Sequence, residues 1–117
     1  MKEELEFHDP SSRPWEQVNG VPGLYERIIA GERGSPDHSR MLRFDPGCVT
    51  PETLTHDFWE EVWILTGSLR DLRLDQTFTA GMYACRPPGM PHGPWDTEEG
   101  CVTFEVRYAG PERGVGG

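Results

Sequence analysis

Three side chains of this sequence have the types needed to hold a divalent metal ion. His56 and Glu60 lie in the stretch 55–67, THDFWEEVWILTG, and His92 lies behind Pro87-Pro88-Gly89 in the stretch 81–96, GMYACRPPGMPHGPWD. Two imidazoles and one carboxylate make the facial triad that suits Fe(II) and leaves coordination positions open for substrate and oxygen. Zinc accepts the same set when water fills the remaining position, and the sequence does not select among iron, zinc, manganese and nickel. Mixed nitrogen and oxygen ligation points to an open, catalytic centre, and the Pro/Gly-fixed loop around His92 supplies the rigidity a metal site needs. Glu60 is read as a ligand first; a carboxylate freed from the metal can act as a base. The ordinary reading of any one such residue, a hydrogen-bonded surface histidine beside an acid, stands beside this one.

The elements that must position these residues read as short strands. Fourteen glycines and eleven prolines are spread along the 117 residues as turn punctuation, which suits an all-β fold. The segment 24–30 is balanced between helix and strand, and its Ile28-Ile29 pair favours strand. A loop over 31–37 leads to 39–44, which alternates: Met41 and Arg43 share one face, Leu42 and Phe44 the other. Asp45-Pro46-Gly47 is a turn. Short strands are expected over 53–57 and 61–65, with Thr66-Gly67-Ser68 turning the second into 69–74. Another strand is expected within 78–85, around Gly81. The segment 101–108 is the clearest, with Val102, Phe104, Val106 and Tyr108 on one face and Thr103, Glu105 and Arg107 on the other. Seven or eight such strands without a long helix predict a sandwich or barrel. The chain divides into an N-terminal arm (1–23) that packs over the barrel or reaches a partner subunit, a barrel (24–109) and a flexible tail (110–117).

Eleven basic against twenty acidic side chains give a net charge of −9. That balance argues against nucleic acid and anionic membranes, and it requires any anionic substrate to be met by individually placed arginines. Arg43 and Arg107 are candidates to point into the barrel and meet a carboxylate or enolate; a salt bridge with Glu105 or a solvated face is an equal alternative. Trp95, three residues beyond His92, is the best aromatic pocket candidate, whereas Phe58, Trp59 and Trp63 suit core packing as well. A barrel rich in Trp and Phe with few interior charges fits an aromatic or 1,3-dicarbonyl compound as substrate. Three widely spaced cysteines, Cys48, Cys85 and Cys101, and no apolar run of membrane-spanning length fit a reduced, cytoplasmic setting.

The two stretches also resemble the two sequence motifs of the cupin family. The second motif, Gly-x5-Pro-x-Gly-x2-His-x3-Asn, is met by Gly81, Pro87, Gly89 and His92, with Asp96 where Asn is usual. The first ends His-x-His-x3/4-Glu-x6-Gly; counting back from Gly67 places Glu60, rather than Glu61, at the acid and His56 at the second histidine. Leu54 then occupies the first histidine position, and Gly47 is one residue out of register. Leu54 falls two residues before His56 on the same face, where it would line the pocket beside substrate. Cys48, after a turn glycine, is poorly placed to replace the lost ligand. The segment RPPGMPHGPW…EEGC is similar to the cupin half of zinc-dependent anti-sigma factors of the ChrR type. The resemblance implies a double-stranded β-helix (jelly-roll) barrel, a metal near its mouth and a homodimer. The activities it implies range over dioxygenases, cyclases and isomerases, with a non-enzymatic metal- or ligand-binding sensor as the alternative.

Overall fold

The computed structural model describes residues 2–110. Eight strands follow a short 3-10 turn at Pro10–Ser12: β1 Glu16–Gln17, β2 Leu24–Gly31, β3 His38–Phe44, β4 Trp59–Asp71, β5 Gln76–Thr79, β6 Tyr83–Arg86, β7 Trp95–Asp96 and β8 Cys101–Tyr108. All pairings are antiparallel. The order runs β1-β2-β3-β8-β4-β5, with β6 and β7 also paired to β4. The fold is the all-β barrel expected. The tail expected over 110–117 lies, beyond Gly110, outside the described residues.

β4 is the spine. β8 and β6 flank its first half, while β5 and β7 flank its second. Strands expected over 61–65 and 69–74 are one continuous strand, and Thr66-Gly67-Ser68 is not a turn. Instead a bulge falls between Ile64 and Thr66. The extra residue moves the inward set from even to odd numbers: Glu60, Val62 and Ile64 are buried before it, Leu69 and Asp71 after it. Gly67 makes that kink possible. Its φ is +78°, and a Cβ there would stand 1.9 Å from the Gly100 carbonyl oxygen. Two further expectations change. The strand around Gly81 is two strands, β5 and β6, and that over 53–57 reduces to a single bridge between Leu54 and His92.

The barrel interior is graded along its length. At one end Leu24, Leu42, Phe44, Cys48, Ile64, Leu69, Trp95 and Cys101 form an apolar cluster. Towards the other end the inward residues are ionised. On β8 the buried side is Cys101, Thr103 and Glu105, while the apolar Val102, Phe104 and Val106 face outward and are half-buried. Their outward neighbour Trp63, paired with Phe104, and Tyr83, paired with Trp63, are both exposed. The first residues lie across the β2–β3 side: Lys2 donates to the Ser39 hydroxyl, Glu3 accepts from the Gly31 amide, and Trp15 stacks under Arg27 and Arg43.

Gly67→Ala is expected to cost about 2–4 kcal/mol, since left-handed backbone strain and a backbone clash coincide. Gly47→Ala, also at positive φ but facing open space, should cost no more than about 1–2 kcal/mol. Urea denaturation of the two variants measures the difference, and equal losses would contradict the close approach to Gly100.

Candidate metal and ligand site

Two loops deliver the histidines, and backbone bonds lace them together. Thr50 N–H donates to Trp95 O and Trp95 N–H to Thr50 Oγ1, at 2.9 and 2.8 Å. Thr53 Oγ1 donates to Gly93 O, Leu54 and His92 exchange amide–carbonyl bonds, and Gly89 N–H donates to His56 O. The segment 50–56 is thus held against 89–95 although neither is a regular strand over most of its length. Glu60 comes from the start of β4. The ligand atoms of His56, Glu60 and His92 lie within 4.8 Å of one another, and the two rings stand 4.9 Å apart, tilted by 49°. Phe58 stacks on His56 at 4.5 Å.

The donor set fits a divalent ion. Among the described residues, Nε2 of His56 and Nδ1 of His92 are buried without a hydrogen-bond partner, a costly state for a polar atom unless something fills it. Metal–nitrogen bonds of about 2.1 Å bring neighbouring ligand atoms to roughly 3 Å, so the three side chains would close in by about 1 Å on binding. Burial, aided by the charge of Arg107 and outweighing Glu60, holds the His56 imidazole down at about 4. Burial and the charge of Arg86 likewise lower His92. Both rings are therefore neutral at pH 7, the form that ligates.

Glu60 is held by two arginines. Arg86 Nη1 reaches one carboxylate oxygen at 3.0 Å and Arg107 Nε the other at 2.7 Å. The three are neighbours across β6, β4 and β8, and His38 continues the same rung on β3. Burial alone would raise the Glu60 carboxyl; the charges of Arg107, Arg40 and Arg86 outweigh it and hold it at about 2. The neighbouring rung is a closed ion cluster. Arg40, 6% exposed, bonds Glu26 at 2.6 Å and Glu105 at 2.9 Å. Thr103 supports the second Glu105 oxygen, and Arg33 and Glu16 extend the chain to the surface. The barrel thus carries many interior charges, correcting the expectation of few.

A cavity of about 250 Å³ opens beside the triad. Its lining includes Leu54, His56, Glu60, Arg86, His92, Trp95 and Arg107. The structure therefore brings together seven residues of one site, of which sequence spacing had singled out all but Arg86. Arg43 is the exception in the other direction: it lies on the outer face, against Trp15 and Tyr25, paired with Asp45. Its strand places Leu42 and Phe44 inward, so alternation turns Arg43 away from the cavity. Arg107 pairs with Glu60 rather than Glu105. Arg86, Arg40 and Glu26 were missed. The parity of Arg86 with Ala84 on a short strand was the available signal, but the pairing with Glu60 is non-local.

The chain matches the ChrR cupin-like domain over residues 3–109. No curated protein sequence matches it. Among solved structures it is similar to an RmlC-like cupin from Shewanella frigidimarina (18% identity, 95% of this chain and 96% of that one, TM-score 0.72). It is also similar to the polyketide cyclase RemF from Streptomyces resistomycificus (22%, 97% and 87%, TM-score 0.73). A third is the Rhodobacter sphaeroides structure of SigE in complex with the anti-sigma ChrR (21%, 82% and 50%, TM-score 0.63). At these identities the likeness is one of fold.

Two outcomes follow from the buried charges. Arg40→Met strands Glu26 and Glu105 and should destabilise the protein by about 3–5 kcal/mol; adding Glu26→Gln and Glu105→Gln should recover most of that loss in urea titrations. In metal-free protein, the unfolded chain takes up histidine protons near 6.5, whereas the fold keeps His56 neutral down to about 4 and also lowers His38 by burial. Stability present above pH 6.5 is therefore lost as pH falls through this window. Melting curves in chelator between pH 7.5 and 5 should show a falling Tm, less steep in His38→Gln; a flat profile would contradict neutral buried imidazoles.

Proposed function

Because this chain belongs to the ChrR cupin-like family, whose fold places a ligand cavity inside a β-barrel, we propose that it is a metal-dependent enzyme acting on a small molecule. The observation that carries the reading is the convergence of His56, Glu60 and His92 at the wall of the cavity. The residues that would hold the ion are these three. A bound divalent ion would polarise a substrate oxygen as a Lewis acid and, if it is iron, admit dioxygen to the same centre.

The chain's own residues define the rest. Leu54, 42% exposed, presents an apolar side chain where a fourth ligand could otherwise stand, leaving room for substrate beside the ion. Trp95 and Val62 line the cavity and exclude water from the reacting end, which strengthens each charge interaction within it. Glu60 stays ionised at any pH near neutral, so it serves as a ligand, and as a proton acceptor only once displaced from the metal and its arginines. Oxidative cleavage of an aromatic or dicarbonyl compound is the first reaction class; cyclisation or isomerisation is the alternative for a metal that does not handle oxygen. An open cavity of this size favours substrate turnover over a closed, purely structural metal in a sensor module. The homodimer belongs to the same reading, supported by the exposed Trp63 and Tyr83 on the outer sheet face.

Metal content by plasma mass spectrometry on untagged protein tests the reading. Wild type should carry about one equivalent of iron, manganese, nickel or zinc, and His92→Ala and Glu60→Ala less than about a tenth of that. Wild-type protein that stays metal-free after reconstitution would overturn the metalloenzyme reading and leave a ligand-binding barrel.

A further inference from the structure

We propose that the ligand of this cavity is an organic anion, and that Arg86 and Arg107 form the seat for its carboxylate. The proposal rests on the metal-dependent reading for its charge argument and on the placement of the two arginines for its geometry.

Two guanidinium ions face a single carboxylate, that of Glu60. Their excess of one positive charge is matched by the adjoining cluster of Arg40, Glu26 and Glu105, where Arg33 and Glu16 cancel at the surface end, so the inward charges balance without a metal. With a divalent ion held by His56, His92 and Glu60, the wall carries an excess of about two positive charges. A buried site of that charge is expensive to leave uncompensated. The protein's overall charge of −9 does not help, because charges separated by solvent are screened beyond about 8–10 Å. An anionic ligand supplies what the wall lacks.

The geometry supports the same occupant. Both oxygens of Glu60 are already taken by the arginines. A carboxylate oxygen given to a metal is withdrawn in part from its arginine, and that arginine's N–H donors are left facing the cavity. The guanidinium groups cannot simply swing away. Arg107 lies 4.9 Å from the Phe58 ring and Arg86 5.3 Å from the Trp95 ring, contacts that hold a planar cation in place. Each places one nitrogen on Glu60, and both side chains line the cavity.

Arg40 marks the contrast. It is more deeply buried than either and is held by two glutamates. The rung with one acid for two arginines is the one that lines the triad. An aromatic or dicarbonyl substrate seated here would thus carry a carboxylate or ionised enolate, with its ring or carbon skeleton against Leu54 and Trp95.

Benzoate and its uncharged isostere benzamide separate the possibilities in isothermal titration calorimetry. Both are titrated into zinc-loaded and chelator-treated protein, with zinc stoichiometry measured alongside. Benzoate should bind the zinc-loaded protein about tenfold or more tightly than benzamide, the difference expected for a charge-assisted hydrogen-bonded pair. Arg86→Gln and Arg107→Gln should each remove most of that preference while leaving zinc stoichiometry intact. Arg107→Lys, which keeps the charge and perturbs the fold least, should retain part of it. If zinc does not bind, the metal reading falls, and the arginine seat is decided by the chelator-treated protein, where benzoate must still be preferred. Equal binding of the two probes, no binding of benzoate, or a preference unchanged in both glutamine variants would overturn the proposal.

Discussion

Ionised side chains point into this barrel from five neighbouring strands, and a buried charge is tolerable only beside its opposite. That constraint organises the structure. It places Arg40 between Glu26 and Glu105 and Glu60 between Arg107 and Arg86, in adjacent rungs. The first rung is saturated, with each carboxylate answered and Thr103 closing the remaining oxygen. The second has one acid for two bases, the converse of the first, and it is the rung that supplies a metal-ligand candidate. One rung therefore behaves as architecture and the other as a site awaiting a partner, although they are built from the same residue types.

Much of the site was legible from spacing. The interval from Glu60 to Gly67 and the Pro/Gly punctuation before His92 are local features, and the structure brings His56, Glu60, His92, Leu54, Trp95 and Arg107 to one cavity. What escaped was non-local. Arg86 is important because β6 pairs with β4 and sets it opposite Glu60, a relation that no window of neighbouring residues contains. On β8, alternation separated two faces correctly but could not say which lay inside. The apolar face, Val102, Phe104 and Val106, has the composition of a core, yet the inward face is Thr103, Glu105 and Arg107. Paired charges across β3 and β4 make that choice stable, and those partners lie far away in sequence.

Gly67 was misread for a related reason. Between Thr66 and Ser68 it has the local signature of a turn. The strand runs straight through, because the glycine is required by Gly100 pressing against it from the β7–β8 connection. Similarly, the segment holding Leu54 was read as a strand from its own composition. Its backbone bonds instead go one at a time to the His92 loop, so its order depends on that loop.

The bulge in β4 gives the barrel two independently editable halves. A strand that kept strict alternation would bind the fate of its two ends together, since any slip in register would carry both from inside to outside. By absorbing one residue at Leu65–Thr66, β4 lets its even-numbered start answer to the chemistry of the cavity mouth. Its odd-numbered end packs Leu69 into the apolar cluster and turns Asp71 to accept from the Arg73 and Leu74 amides. Point changes around Glu60 on β6 and β8 therefore leave unchanged the phase in which Leu69 and Asp71 are packed. In that sense one irregular residue pair separates the phase of the packed end from that of the charged end.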